Sequence, residues 1–381
     1  MKYNILLMWK WIVIFLIICI PYSCNNITTE GDQQLLRVGV FNGEGASPVC
    51  VLETIEALRI DSGITAREIS GADIISGALN KLDVLIFPGG SGSHEYNNLG
   101  QIGAEKVRNF ARKEGHGLVG ICAGGYLFST TPGYPSLQIT TAPDIRDHYD
   151  RGRGLIAFRL NEQGKKVFPE LADRDSLFLQ YYDGPMFETQ NRQLTVLGSI
   201  ITDIAPHPGY PRGVSPGKPM LMNGAFGQGK YFISVGHPEA TAGMRWLVPR
   251  MARWAAGRPL ISYTDQLVRP GINHKDILYY PETESFEKEN FWNLFNNEDS
   301  VVIQAIDNLY RIRSRPSIRW SIGLLRHHSW PVRYKAAQYL SETEYTRAIP
   351  DIEAAYRTEQ DKEHQAALLD IVKKLKAMVL Q

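Results

Sequence analysis

The sequence predicts an α/β fold over residues 36–257, a doubly wound and mostly parallel sheet, followed by a short all-α domain of helical repeats over residues 298–381. Three observations carry this. From Leu36 onward, short apolar runs alternate with helical patterns, the order that builds a parallel sheet covered on both faces. One such run, Leu118 to Ile121, ends in a cysteine boxed by glycines, Gly120-Ile121-Cys122-Ala123-Gly124, the pattern of a strand turning sharply into a helix. Near the C-terminus, Ala305, Ala336 and Ala367 stand 31 residues apart (336 − 305 and 367 − 336), and Leu309, Leu340 and Ile371 keep the same step. A period of that size with small residues at a fixed helical place means stacked helical hairpins.

At the N-terminus, Lys2 and Lys10 precede an unbroken apolar stretch, Trp11 to Ile20, which is the length of a signal-peptide core and shorter than the ~20 residues a membrane span needs. Pro21-Tyr22-Ser23-Cys24 then resembles a bacterial lipoprotein signal: residues 1–23 would be removed and Cys24 would carry the lipid anchor. Ordinary secretion and an uncleaved N-terminal anchor are the other two fates. The polar residues 24–35 read as a tether. The expected location is that of an exported, membrane-anchored lipoprotein of the bacterial cell envelope.

The α/β part is expected to run in order as a strand Leu36 to Phe41, a helix Val51 to Ile60, a strand Ala66 to Ser70 and a short helix Ala72 to Leu79. The strand Val84 to Phe87, an amphipathic helix Ile102 to Glu114 and the elbow strand follow. From Gln138 to Val235 the texture changes to an antiparallel excursion of short strands joined by turns, and a helix Ala240 to Ala256 closes the domain. Residues 258–297 form a connector rich enough in aromatics to pack against the first domain.

The formal net charge is +1 and the charged fraction 21%, an ordinary globular surface with no footprint for nucleic acid or a polybasic membrane contact. The cysteines are Cys19, Cys24, Cys50 and Cys122, too few and too scattered for a disulfide framework or a metal cluster. No metal and no cofactor is expected.

Chemistry concentrates on Cys122. A tight turn with glycines on both sides leaves room for a strained central residue and aims the thiol at a helix N-terminus, where a thiolate is favoured. A structural reading, a small hydrophobe at a strand end, fits the same residues. A base is available in Gly236-His237-Pro238-Glu239, where His237 and Glu239 stand close enough for a carboxylate to orient an imidazole. Pro88-Gly89-Gly90 ends the third strand, and backbone N–H groups of Gly89, Gly90 and Ala123 are the candidate oxyanion hole.

These motifs in this order resemble the class I glutamine amidotransferase superfamily, with its flavodoxin-like sheet. The narrower resemblance is to the amidotransferase-like domain at the N-terminus of eukaryotic biotin–protein ligases. It rests on Val40-Phe41-Asn42-Gly43 with Gly45-Ala46-Ser47, Phe87-Pro88-Gly89-Gly90, Cys122-Ala123-Gly124-Gly125-Tyr126 and Tyr181-Tyr182-Asp183-Gly184-Pro185. Nothing resembling a ligase catalytic domain follows. The resemblance implies a triad of Cys122, His237 and Glu239. It departs at Tyr126, which stands where glutamine-hydrolysing members usually carry a glutamine that holds the substrate, so glutamine itself does not follow as substrate.

Asn42, Tyr126, Tyr182 and Asp183 are the candidate substrate-binding residues, and His94-Glu95-Tyr96, just after the oxyanion-hole glycines, is a second segment that could shape the site; turn chemistry at Asp183-Gly184 and a solvated loop at His94-Glu95 are the bland readings. Cys50 lies on the ligand edge of the sheet, either as a buried helix residue or as the partner of Cys122 in a reversible disulfide. The repeats resemble HEAT-like units and would serve either as a surface for a protein partner or as a rigid cap on the first domain. The leading expectation is a cysteine hydrolase acting on an amide or related acyl bond of a small-molecule or peptide-like substrate. A non-catalytic binding or scaffold protein and a thiol-based redox protein are the rivals.

Overall fold

The computed structural model describes residues 35–146, 148–190 and 192–379. The expected signal segment, the Cys24 anchor and all but the last residue of the tether lie outside them. From Leu35 onward the chain forms one compact unit, so the α/β part, the connector and the helical part are built on each other.

The parallel half follows the predicted alternation: β1 (Leu36–Phe41), α1 (Pro48–Leu58), β2 (Ile64–Ile69), α2 (Gly71–Ile75), β3 (Val84–Phe87), α3 (Gly92–Ala111), β4 (Gly117–Ile121) and α4 (Ala123–Phe128). The antiparallel excursion holds β5 (Arg153–Leu160), α5 (Glu162–Val167), β6 (Leu177–Tyr182), β7 (Thr195–Ile200), β8 (Pro219–Phe226) and β9 (Gly229–Ser234), and α6 (Leu247–Ala255) closes it. Strands β2, β1, β3, β4 and β9 are parallel neighbours in that order, and β8, β7 and β5 continue antiparallel with β6 on the far edge of β5. Every residue of β3 and β4 is buried, as a central strand covered on both faces requires.

Three helices differ from expectation: the one expected over Ala72 to Leu79 ends at Ile75, and after Gly77 (φ 93°) a separate 3₁₀ turn covers Ala78–Lys81. Helix α3 begins ten residues before the predicted Ile102, with a break at Gly100 (φ 59°, ψ −178°) that joins two shorter helices. The polar run after Gly92 hides the first of these. His94-Glu95 is therefore helical, and Glu95 is fully buried rather than solvated. The closing helix is shorter than predicted because residues 241–246 form turns, with Gly243 at a positive φ of 78°, and the helix begins only at Leu247.

The connector contributes β10 (Ile277–Leu278), which pairs antiparallel with β5, and helix α7 (Pro281–Asn293). Helices α8 (Asp299–Arg311) and α9 (Arg315–Leu324), then α10 (Trp330–Glu342) and α11 (Ile349–Thr358), make two hairpins, and α12 (Lys362–Lys376) adds a half. The 31-residue period is visible in the backbone. Arg313 and Glu344, one period apart, both take the left-handed conformation (φ 55° and 56°) at the turn between paired helices. The next residues, Ser314 and Tyr345, donate their N–H groups to Leu309 and Leu340 at 3.0 and 2.9 Å, the six-residue bond of a Schellman ending.

These two turns face the α/β part. The Arg313 carbonyl accepts from Gln180 Nε2 at 3.0 Å, and the Glu344 carbonyl accepts from Arg245. Through these turns the helical part packs against the α/β part.

Candidate active site

The elbow is built as its glycines require. Cys122 has φ 51° and ψ −101°, a conformation that an L-residue adopts only when its surroundings impose it. A Cβ on Gly120 would stand 2.8 Å from the Gly124 backbone, and one on Gly124 would stand 2.3 Å from the Phe87 carbonyl oxygen. Helix α4 therefore packs directly on β3 and β4, with no side chain between. The Cys122 N–H is tied to the Ser234 carbonyl at 2.9 Å, and the thiol donates to the Tyr182 carbonyl at 3.2 Å.

His237 and Glu239 come from the chain just past β9. A single bridge fixes His237 against β6: its N–H donates to the Gln180 carbonyl at 2.7 Å, and Thr241 Oγ1 donates to the His237 carbonyl at 2.7 Å. Pro238 then starts the 3₁₀ turn that brings Glu239 back under the ring. His237 Nδ1 donates to Glu239 Oε1 at 2.7 Å, which leaves Nε2 as the nitrogen that can exchange a proton with a thiol. Among the described residues Nε2 has no hydrogen-bond partner. Both side chains are buried.

Burial pushes the imidazole of His237 down, but the negative charge available at Cys122 and that of Glu239 outweigh it and raise its pKa well above the ordinary value. Burial pushes Glu239 up, and the His237 and Arg315 charges hold it below the usual carboxylate range.

Arg315, at the first position of α9, is the residue the sequence reading missed. Its guanidinium reaches into the α/β part and pairs with Glu53 of α1, lies 3.3 Å from Glu239 Oε1 and 3.4 Å from Cys50 Sγ, and is itself buried. Burial drives the Cys50 thiol up, but the Arg315 charge and then His237 bring it below its ordinary value. Cys50, His237 and Glu239 place ligand atoms within 4.8 Å of one another, a spacing suited to a metal ion. The Arg315 cation already lies against Cys50 and Glu239, so the cluster is filled by a side chain.

Cys122, Tyr126, Tyr182, Asp183 and His237 line one cavity of about 380 Å³, with Cys50 and Arg315 also in its wall. Asn42 is not brought there. It sits on the surface and donates from Nδ2 to Glu68 at 2.7 Å, because the chain turns away at Gly43 before re-entering through Ala46. Tyr126 is held by its hydroxyl, 2.5 Å from that of Tyr149 and 2.9 Å from the Asp183 carbonyl. Asp183 has a positive φ of 49°, so the turn reading and the site reading both apply to it.

Gly90 lines the cavity and Gly89 lies behind it against His237: a Cβ on Gly89 would stand 2.6 Å from His237 Cε1 and 2.8 Å from Cys50 Sγ. The carbonyl of Gly89 accepts from the Ser47 N–H at 2.9 Å, and Ser91 N–H donates to Gly45 at 2.7 Å, pinning the glycine pair to the loop after β1. Ala123 opens α4, where a first-turn N–H has no helical acceptor.

The family model for the N-terminal domain of biotin–protein ligase matches residues 36–136. That segment holds β1 through the elbow, with Cys122, and stops before His237. No curated protein matches the chain. Among solved structures, one described as a GMP synthase subunit from Thermoplasma acidophilum is 14% identical, with 58% of this chain and 95% of that chain covered and a TM-score of 0.41. The Trypanosoma brucei CTPS glutaminase domain is 12% identical, over 59% of this chain and 96% of that one, with a TM-score of 0.40. A β-galactosidase from Bacillus circulans sp. alkalophilus is 17% identical, over 61% of this chain and 33% of that one, with a TM-score of 0.38.

Proposed function

We propose that the chain is a cysteine hydrolase of amidotransferase type, acting on an amide or related acyl bond. The observation that carries this is His237, pinned by Glu239 through Nδ1 at 2.7 Å, with Nε2 unclaimed beside a strained cysteine on a shared cavity. In this reading the Cys122 thiol gives its proton to His237 Nε2 and the sulfur attacks the acyl carbon. The Gly90 and Ala123 N–H groups hold the oxyanion, with Gly89 behind them, and His237 returns the proton to the leaving group. Water then releases the acyl group by the same route.

The resting thiol is bonded to the Tyr182 carbonyl, so the first step includes a rotation of the thiol toward His237. The test is the pH dependence of Cys122 alkylation by iodoacetamide, followed by peptide mass mapping, in the wild type and in His237→Ala and Glu239→Ala. Fast reaction below about pH 7 that slows in both variants supports the triad. The profile of an ordinary thiol near pH ~8.5, unmoved by either substitution, refutes it.

We also propose export and lipid attachment at Cys24, on the strength of the apolar run and the Ser23-Cys24 junction. Labelled palmitate incorporated by the full chain and lost in Cys24→Ser is the expected result; equal labelling of the two removes the proposal.

A further inference from the structure

The cavity beside Cys122 has a charge pattern that the hydrolase reading leaves unused. Two arginines in its wall, Arg146 and Arg151, make no ion pair among the described residues. Each guanidinium instead lies over a tyrosine ring of the same wall, Arg146 at 4.6 Å from the centroid of Tyr134 and Arg151 at 5.9 Å from that of Tyr126. The third arginine, Arg315, is neutralised by Glu53 and Glu239. The acid of the wall is Asp183, whose carboxyl is pushed up by burial against the pull of Arg151. Ser91, Gly92 and Ser93, at the N-terminal end of α3, line the same cavity, with the Ser91 N–H already given to the Gly45 carbonyl at 2.7 Å. Two planar cations with no ion pair among the described residues, each lying over a ring of the wall, form a receptor for oxygen anions.

We propose that the substrate acylating Cys122 carries a second, anionic oxygen group, carboxylate or phosphate, bound between Arg146 and Arg151. The acyl half of this statement rests on the hydrolase reading; the anion site stands on the arginines alone.

Iodoacetate and iodoacetamide differ by one charge and alkylate the same sulfur, so the ratio of their rates at Cys122 reads the field of the site. That ratio should exceed the ratio for glutathione by roughly tenfold, and should fall to the glutathione value in Arg146→Gln/Arg151→Gln. In parallel, sodium glutarate or inorganic phosphate should raise the thermal midpoint of the Cys122→Ala protein above that in sodium chloride of equal ionic strength. The double arginine substitution should abolish the rise. Glutarate alone acting would assign a carboxylate, phosphate alone a phosphate. A rate preference or midpoint rise that disappears with the arginines supports the site. Absence of both, or either one surviving the substitution, overturns it. A Cys122 that reacts with neither reagent sinks the hydrolase reading while the midpoints still decide the anion site.

Discussion

Glu239 Oε1 accepts the His237 Nδ1–H at 2.7 Å and lies 3.3 Å from Arg315 Nη2, so a residue of the helical repeats touches the same oxygen that orients the candidate base. The guanidinium also balances Glu53, which is buried on α1 and has no other cation at ion-pair distance among the described residues. The helical part is thereby coupled to the site by charge as well as by packing.

Replacing Arg315 by Gln leaves Glu53 buried without its cation and Glu239 with His237 alone. A buried pair broken on one side costs about 3–5 kcal/mol. The Arg315→Gln protein should unfold at lower denaturant by that order, and Glu53→Gln added to it should recover part of the loss. Equal stability of Arg315→Gln and the wild type would show the ion pair to be energetically idle.

Gly89 carries a prediction of the opposite kind, small in stability and large in reactivity. A Cβ there would stand 2.6 Å from His237 Cε1, and the ring cannot retreat without giving up its bond to Glu239. Overpacking of this sort costs about 1–3 kcal/mol, whereas a misplacement on the order of 1 Å can cost roughly 10²-fold in rate. Gly89→Ala should fold and should alkylate at Cys122 far more slowly below neutral pH. Wild-type rates in a folded Gly89→Ala protein would mean that His237 is not the base.

The parts of this arrangement differ in how legible they are in sequence, and the reason is range. The parallel strands, the elbow and the His237–Glu239 pair are set by residues a few positions apart, where periodicity and glycine spacing carry the signal. The 31-residue period also announces the repeats, and it reappears as the paired left-handed turns at Arg313 and Glu344. Arg315 gives no such signal, because an arginine before a proline at a repeat turn reads as surface, and its partner Glu53 lies 262 residues away. The one hint is on the other side. Glu53 and Glu56 sit three apart among Cys50, Val51, Ala57 and Leu58 on a helix against the sheet, two buried acids that require donors. Equivalent places of successive repeats supply donors to both, Arg315 to Glu53 and Thr346, one period later, to Glu56 at 3.0 Å, beside the ion pair of Glu56 with Arg59. Asn42 misleads for the converse reason: a strand end of such a sheet is expected on the ligand edge, and after this one the chain turns outward.

Glu95 is a carboxyl with no exposure and no hydrogen-bond partner for either oxygen among the described residues. Burial, with the Cys50 thiol adding to it, raises its pKa well above the ordinary 4.5. The folded state keeps the proton while the unfolded chain releases it above about pH 4.3, so the unfolded state binds fewer protons and stability falls as pH rises. The slope is about 1.4 kcal/mol per pH unit until the folded pKa is reached. Glu95→Gln removes this contribution. Its stability relative to the wild type should therefore climb between about pH 5 and about pH 7 in denaturant titrations, whatever constant offset the amide introduces. Parallel pH profiles for the two proteins would mean that Glu95 is ionised when folded.

Cys50 tests the electrostatics of the same cluster from the thiol side. Burial disfavours its thiolate, and the Arg315 charge 3.4 Å away together with His237 reverses that, setting the pKa below the ordinary value. In a Cys122→Ser protein, iodoacetamide should label Cys50 with a midpoint below the usual ~8.5. Access through a residue only 5% exposed makes the plateau rate slow, so the midpoint and not the rate is the quantity to compare. Adding Arg315→Gln should move that midpoint upward, since the largest favourable charge is gone while the burial remains. A midpoint that stays put on loss of Arg315 would show that the guanidinium does not act on the thiol, and the link from the repeats into the site would then run through Glu53 and Glu239 alone.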